Sequence, residues 1–498
     1  MSSTLPKLLF NHRKGLAWAF VLTFAVIPLF VNLGELPLRT YDESRLANNA
    51  YEMLKSGEFW ITTYDATPDL WNTKPPLLIW IHLGFIKLFG FNEIALRLPS
   101  AIAALIICLT LIRFFKKYLD NIYYGFLSVI VLVSSSGFVC LHGTRTGDYD
   151  SMLALFMLVY SLCFFLYIEL KSIPYIYAFG LFLGLSVLTK SVAGLLFLPG
   201  LGIYLIYSKH FLSALRDKHI YVSCVFAVSI FLPYYFYRES LSPGYFEAIK
   251  LNELGGRYFE TIEVHSHPFS YYYDNIRNFH FNHWFILMVI GIAIGLNNND
   301  IRISRISRFS ISIILSYFFI ISCSKTKLEW YAIPMYPFMA IFTAIALHKI
   351  ISILKDLYIS RSYLGFEIIP ILFLVATVYE PYRKILKSTF FPLEKNYETE
   401  YYQISYFLKD AIKGHYDLNG YLLTDVDYHP QTKAYVYMLN EKGVNIKEHD
   451  YFDLKNNDIA IVHQDSVKNY IHKTYIFEKD IIFKNIAFYK IKGHKYAH

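Results

Sequence analysis

The feature that most limits what this chain can fold into is a recurring apolar run. The first is GLAWAFVLTFAVIPLFVNLG, and similar stretches follow along most of the 498 residues, separated by short polar breaks. Each approaches the ~20 residues a helix needs to cross a bilayer. Read in order, they fall at about 16–34, 97–115, 122–140, 151–168, 174–189, 192–207, 220–237, 282–297, 309–323, 330–347 and 364–379, roughly eleven spans. The fold class expected is an α-helical polytopic membrane protein. Composition agrees: the chain is 55% hydrophobic and 17% charged, with mean hydropathy +0.34, too apolar for a soluble globular protein. The basic start KLLFNHRKG leads into the first run, and VNLGELPLRT after it offers no small-residue cleavage site, so an uncleaved first span is expected.

The formal net charge of +8 would suggest acidic partners in a soluble chain. Here the lysines and arginines concentrate in alternate breaks: Lys7, Arg13 and Lys14, then Arg113 to Lys117, Lys171, Lys209 to Lys218, Arg302 to Arg308, and Lys349 to Arg361. The opposite breaks hold Arg145, Lys190, Lys325 and Lys327. The positive-inside rule then predicts a cytoplasmic N-terminus and a C-terminal segment on the outer side. No basic stripe with nucleic-acid motifs is present, so nucleic acid is not an expected partner. Cys108, Cys140, Cys163, Cys224 and Cys323 lie in or beside apolar runs without metal spacing and read as small apolar side chains.

Composition changes near Tyr382. ETEYYQISYFLKDAIKG reads as an amphipathic helix ended by Gly414, and YLLTDVD, DIAIVH and IIFKNIAFYKI read as strands. The expected division is a transmembrane domain over 1–379 and a small soluble α/β domain over 380–498, long enough to bury its own core. KPPLLIWIHLGFIKLFG is apolar but short, and reads as an interfacial or re-entrant helix between two outer flanks.

Three outer stretches carry the chemistry. In TYDESRLANNAYEMLKSG, Thr40 and Glu43 form a capping-box pattern. With Thr40 as N-cap, Asp42, Arg45, Asn49 and Glu52 share one helical face, and Gly57 ends an amphipathic helix. In WNTKPPLLIW, two prolines force an extended entry and pin Lys74 where apolar residues begin. In RTGDYDSML, Arg145, Asp148 and Asp150 sit at the mouth of a span. Each pattern taken alone also fits a plain structural role: helix-dipole carboxylates, a snorkelling lysine, a loop ion pair. Asp148 and Asp150 could also seat magnesium or manganese, although two carboxylates are a thin metal signal. LTKSVAG adds Lys190, and SCSKTKLEWYAIPMYP adds Lys325, Lys327, Trp330 and Tyr331. His265 and His267 of HSHP read as loop hydrogen-bonding groups rather than metal ligands. All these groups fall on the outer side by a charge rule that ignored them, and the span interiors are almost free of charge. Pumps and ion-coupled transporters usually need ionisable residues near mid-membrane, so this placement favours chemistry at the outer interface.

Together, YDESR, KPPLLIW, GFNEIALRLPSA, RTGDYDS, LGLSVLTKS and SKTKLEWYAIPMYP, in that order over about residues 20 to 340, resemble the GT-C-fold glycosyltransferases. The members meant are the protein O-mannosyltransferase-like enzymes and the lipid A aminoarabinose transferases. The resemblance implies an inverting glycosyltransferase that takes a sugar from a polyprenyl-phosphate donor such as undecaprenyl phosphate. The sugar would pass to a lipid A, glycan or protein acceptor on the outer face. It implies Asp42 as general base, Asp150 or Asp148 at the second acidic position, and Arg45 and Lys74 on the lipid phosphate. Glu43, Arg145, Lys190, Lys325, Lys327 and Tyr331 complete the substrate-binding set. The chain departs from the family where relatives often carry Lys-Gly and it has Lys190-Ser191, and where Asp148 adds a carboxylate. No cofactor is expected. A bacterial inner membrane is the expected location, with the C-terminal domain periplasmic or extracellular. The competing readings are a flippase or transporter of a lipid-linked substrate, and a surface assembly factor working through the tail.

Overall fold

The computed structural model describes residues 4–255, 266–359, 368–424 and 428–495. His265 lies outside them, as do residues 364–367 of the last expected span. The chain divides into two compact units. One comprises 1–33, 68–81 and 97–391; the other comprises 34–67, 82–96 and 392–498. The tail therefore shares its unit with two stretches from the first outer segment, and that unit's last stretch begins at Pro392.

Within the described residues each of the eleven apolar runs meets a helix, but the helices differ in length. Among the described residues, six are long and apolar enough to cross a membrane: Glu93–Leu119, Tyr149–Leu170, Ile173–Leu195, Lys218–Leu241, Ile301–Cys323 and Glu329–Asp356. Tyr271–His280 and Asn282–Leu296 form a further pair bent by 112°. The chain is a multi-pass membrane protein. Two runs shorten for visible reasons. Helix Ile122–Val133 stops where the Ser134 and Ser135 hydroxyls donate to the carbonyls of Ile130 and Leu132, a local competition that serine sets up against the helix ladder. In the 192–207 run, residues Ser191–Leu195 form a 3₁₀ turn and the α-helix starts only at Leu198, with a proline at its first turn. Leu77–Phe89 has 13 residues, about 20 Å of helix, against a hydrocarbon core of about 30 Å. Its shortness agrees with an interfacial or re-entrant placement.

In the first unit, Tyr149–Leu170 is the most enclosed span, whereas Lys218–Leu241 leaves most of its surface uncovered. Helix Asn282–Leu296 approaches Glu329–Asp356 so closely that a Cβ on Gly291 would lie 1.9 Å from the Phe342 carbonyl oxygen. Small residues permit such backbone approaches in membrane bundles.

In the second unit, the tail carries a five-stranded sheet. Its strands are β1 (Tyr421–Leu423), β2 (Lys447–Glu448), β3 (Ile459–Val462), β4 (Tyr475–Phe483) and β5 (Ile486–His494), in the order β2-β1-β3-β5-β4. β1 is parallel to β2 and β3; β5 is antiparallel to β3 and β4. IIFKNIAFYKI is thus not one strand but the turn of a hairpin, reversing at Lys484 with φ 48°. Helix Gln403–Ile412 ends before Gly414, whose φ is +88°, as the sequence suggests. Helices Pro430–Glu441 and Asp465–Thr474 were not legible beforehand. The five cysteines are unbridged.

A Gly291→Val substitution is expected to lower the melting temperature in detergent sharply, since a backbone carbonyl cannot move aside. Melting within 2 °C of wild type, on the order of a surface change, would show that this helix contact is looser than described.

Candidate active site

Four of the expected residues meet in the first unit. Lys74, Asp150, Lys190 and Tyr331 line one pocket of about 60 Å³, together with Glu253 and Ser324. Local sequence places each of them. Lys74 precedes Pro75 and Pro76, and the first helical bond, from the Trp80 amide to the Pro76 carbonyl, starts immediately beyond. Asp150 sits in the first turn of Tyr149–Leu170, and Lys190 is the last residue of Ile173–Lys190. Ser191 then breaks that helix with φ 50°.

The pocket is built on paired charges. Lys190 Nζ lies 2.6 Å from Asp150 Oδ1, both side chains nearly buried, and 5.3 Å from the centre of the Tyr331 ring. Lys74 Nζ lies 4.0 Å from Glu253 Oε1, a looser pair, with the Tyr149 and Trp71 rings at 5.4 and 5.9 Å. The Thr73 hydroxyl donates to the same Glu253 oxygen at 3.2 Å. Tyr331 is held through its carbonyl, which accepts from the Tyr317 hydroxyl at 2.8 Å.

A second group buttresses Lys74 from behind. The Tyr245 hydroxyl donates to the Thr73 carbonyl at 2.8 Å, fixing the residue before the lysine. Arg238 is fully buried, its guanidinium carbon 5.0 Å from the Tyr245 ring centre. Aromatic faces offset the burial of such a cation by about 2 kcal/mol when desolvated. The adjoining turn is capped by Glu239, which accepts from the Gly244 and Phe246 amides.

The other expected residues of this unit go elsewhere. Arg145 donates to the carbonyls of Pro28 (3.0 Å) and Asn32 (3.3 Å), closing the end of the first helix rather than facing the pocket. Burial, aided by Arg97, pushes its pKa down to about 10. Asp148 accepts from the Thr146 hydroxyl and lies 3.5 Å from His142 Nδ1. Asp148 and Asp150 thus have different charged neighbours, His142 and Lys190. Lys327 is buried and donates to the Ser324 carbonyl; burial pushes its pKa below the usual lysine value. Lys325 is exposed, and His267 stacks on Tyr271.

Asp42, Glu43 and Arg45 belong to the second unit. They begin helix Asp42–Ser56, with Gly57 ending it at φ 72°. The capping box differs from expectation: the N-cap is Tyr41, with φ 65°, not Thr40. The Thr40 amide donates to the Tyr402 hydroxyl, and its own hydroxyl accepts from Tyr401, so the tail has claimed both groups. Glu43, buried, accepts from the Arg39 amide at 2.7 Å. Asp42 is half-buried in the first turn, and Arg45 lies over the Tyr64 ring at 3.7 Å.

Sequence reasoning missed Glu253 and Arg238. Glu253 is a single carboxylate in a long outer segment with no local pattern around it. Arg238 sits at the end of a span, where an arginine ordinarily marks the interface.

The buried Lys190–Asp150 pair gives a direct check. Removing one partner leaves an uncompensated charge costing ~3–5 kcal/mol. Lys190→Met and Asp150→Asn should each lower the melting temperature in detergent, and the double variant should recover most of the loss. Additive losses in the double variant would mean that the two side chains do not depend on each other.

Residues 73–237 match the family described as dolichyl-phosphate-mannose-protein mannosyltransferase. An uncharacterized protein of Aquifex aeolicus is 26% identical over 328 residues; the match covers 65% of this chain and 62% of that protein, less than two thirds of its length. The crystal structure of ArnT from Cupriavidus metallidurans bound to undecaprenyl phosphate superposes with a TM-score of 0.69 at 14% identity, covering 95% of this chain and 97% of that one. The archaeal oligosaccharyltransferase AglB from Archaeoglobus fulgidus, in complex with an inhibitory peptide and a dolichol-phosphate, gives 0.56 at 12% identity over 85% of this chain and 64% of its own. The chain has the GT-C fold of these membrane glycosyltransferases, and residues 73–237 carry the mark of the protein-mannosyltransferase family.

Proposed function

We propose that this protein is an inverting glycosyltransferase that moves a sugar from a polyprenyl-phosphate donor to a hydroxyl acceptor at the outer membrane face. One observation carries the reading: two lysines converge on a single buried pocket at the foot of Lys74-Pro75-Pro76, each paired with a carboxylate and flanked by aromatic rings. Such a pocket suits an anionic group on an otherwise apolar molecule, and a lipid phosphate is one. The ArnT structure, of the same fold, holds undecaprenyl phosphate, which supports that choice of ligand.

In this reading the donor phosphate competes with Glu253 for Lys74, the looser of the two pairs. The acceptor oxygen bonds to the anomeric carbon as the bond from that carbon to the phosphate oxygen breaks, inverting the carbon. Lys74 stabilises the negative charge left on the phosphate, worth more at a poorly hydrated boundary than in water, and Arg45 has a like role by its match to the family's motif alone. Asp42, by its match to the family's first-loop acid, takes the acceptor's proton. The leaving group is already a phosphate, so the scheme requires no nucleotide. The charge pattern supports an outer-facing site, and a bacterial inner membrane is part of this reading. The acceptor class is a lipid, glycan or protein hydroxyl.

The test is transfer by purified protein in detergent, from a radiolabelled polyprenyl-phosphate sugar to a mixture of membrane glycolipids and proteins. Wild type should transfer label, and the same assay with EDTA decides whether a divalent cation takes part. Asp42→Asn should keep its melting temperature and lose transfer by about 10²–10⁴-fold, the usual weight of a general base. Normal transfer by Asp42→Asn would remove the base assignment. Movement of the lipid across vesicles with no product bond would replace the enzyme by a transporter.

A further inference from the structure

The second unit joins the first-loop helix to the C-terminal domain around one arginine. Arg45 lies with its guanidinium carbon 3.7 Å from the Tyr64 ring centre and 5.5 Å from that of Tyr428, and its Nη1 donates to the Tyr428 hydroxyl at 3.1 Å. Tyr428 comes from the tail, 383 residues further along. Both rings are tied to the helix that bears Arg45 by consecutive residues of that helix. Asn48 Nδ2 donates to the Pro430 carbonyl at 2.8 Å, anchoring the stretch after Tyr428. Asn49 Nδ2 donates to the Thr63 carbonyl at 2.7 Å, anchoring the stretch before Tyr64. Lys433, also from the tail, reaches Asp65 beyond Tyr64. Tyr41 stacks on Tyr428 at 6.1 Å, extending the aromatic group toward the start of the helix.

We propose that Tyr428 is a positioning residue for Arg45, so that the C-terminal domain is part of the donor-binding apparatus rather than an accessory module. This rests on the reading of Arg45 as a cation for the donor phosphate. An arginine side chain has many rotamers to lose, and a guanidinium fixed in advance loses less rotamer freedom on each hydrogen bond formed. The Tyr64 ring grips one face of the guanidinium, while the Tyr428 hydroxyl accepts from one of its in-plane N–H groups. Two rings supplied by separate segments fix that plane only when the tail is docked on the helix.

Donor kinetics and arginine labelling of the full-length protein test this together. Tyr428→Phe keeps the ring and loses the hydroxyl; Tyr428→Ala loses both. The donor KM should rise about fivefold for Tyr428→Phe, the scale of one hydrogen bond, and tenfold or more for Tyr428→Ala. The kcat should fall as well, since Arg45 also meets the charge that develops on the departing phosphate, and melting temperature should hold for the phenylalanine variant. Modification of Arg45 by phenylglyoxal, read by mass spectrometry, should speed up in Tyr428→Ala. Arg39, buried and paired with Glu394, should stay slow in both variants. Unchanged Arg45 labelling, or equal acceleration at Arg45 and Arg39, overturns the positioning role. Faster Arg45 labelling with an unchanged donor KM overturns the link to donor binding. If wild type uses no polyprenyl-phosphate donor, the glycosyltransferase reading fails, and the labelling still decides whether Tyr428 holds Arg45.

Discussion

A lysine ammonium moved out of water is costly to hold charged unless an opposite charge meets it. The Lys190–Asp150 contact at 2.6 Å is where this protein meets that constraint most tightly, and the pocket depends on it. The pair joins the end of one span to the start of another, 40 residues earlier. It keeps a cation at the pocket wall that could not remain there alone. Lys74 is kept more loosely, by Glu253 at 4.0 Å, and its backbone is steadied through Thr73 and Tyr245. The formal charges of the four groups cancel, so the pocket is stable without a ligand yet offers two cations to an anion that can displace a carboxylate.

The surrounding tyrosines do a second job. Tyr331, Tyr149 and Tyr245 present ring faces to Lys190, Lys74 and Arg238, and Tyr64 and Tyr428 do so to Arg45 in the other unit. A ring face attracts a cation without neutralising it. Cations held this way keep their charge for an incoming phosphate, whereas a carboxylate must first be exchanged. The chain's aromatic content of 18% is put to this use as well as to its apolar interior.

Much of this was legible in the sequence, for identifiable reasons. Lys74 is marked by Pro75 and Pro76, and Asp150 and Lys190 by their position at span ends, where charge in an apolar chain stands out. Their pairing was not legible, because helical periodicity shows which face is apolar but not which helices are neighbours. Thr40 looked like a cap because its local pattern is correct; Tyr401 and Tyr402, some 360 residues away, took its hydrogen bonds. The run at 122–140 looked long enough to span because hydropathy does not register Ser134 and Ser135, the two serines that end its helix. Glu253 and Arg238 carry no local signal at all.

The central claim is that the Lys74–Lys190 pocket receives a lipid phosphate. It is tested most directly by measuring the affinity of the purified protein for sugar-free polyprenyl phosphate in detergent, beside Lys74→Ala. Wild type should bind, Lys74→Ala should bind at least about tenfold more weakly, as loss of a charge-assisted contact requires, and added salt should weaken wild type further. Equal affinity in the two proteins would contradict the account, because the phosphate would then be held without the residue around which the pocket is built.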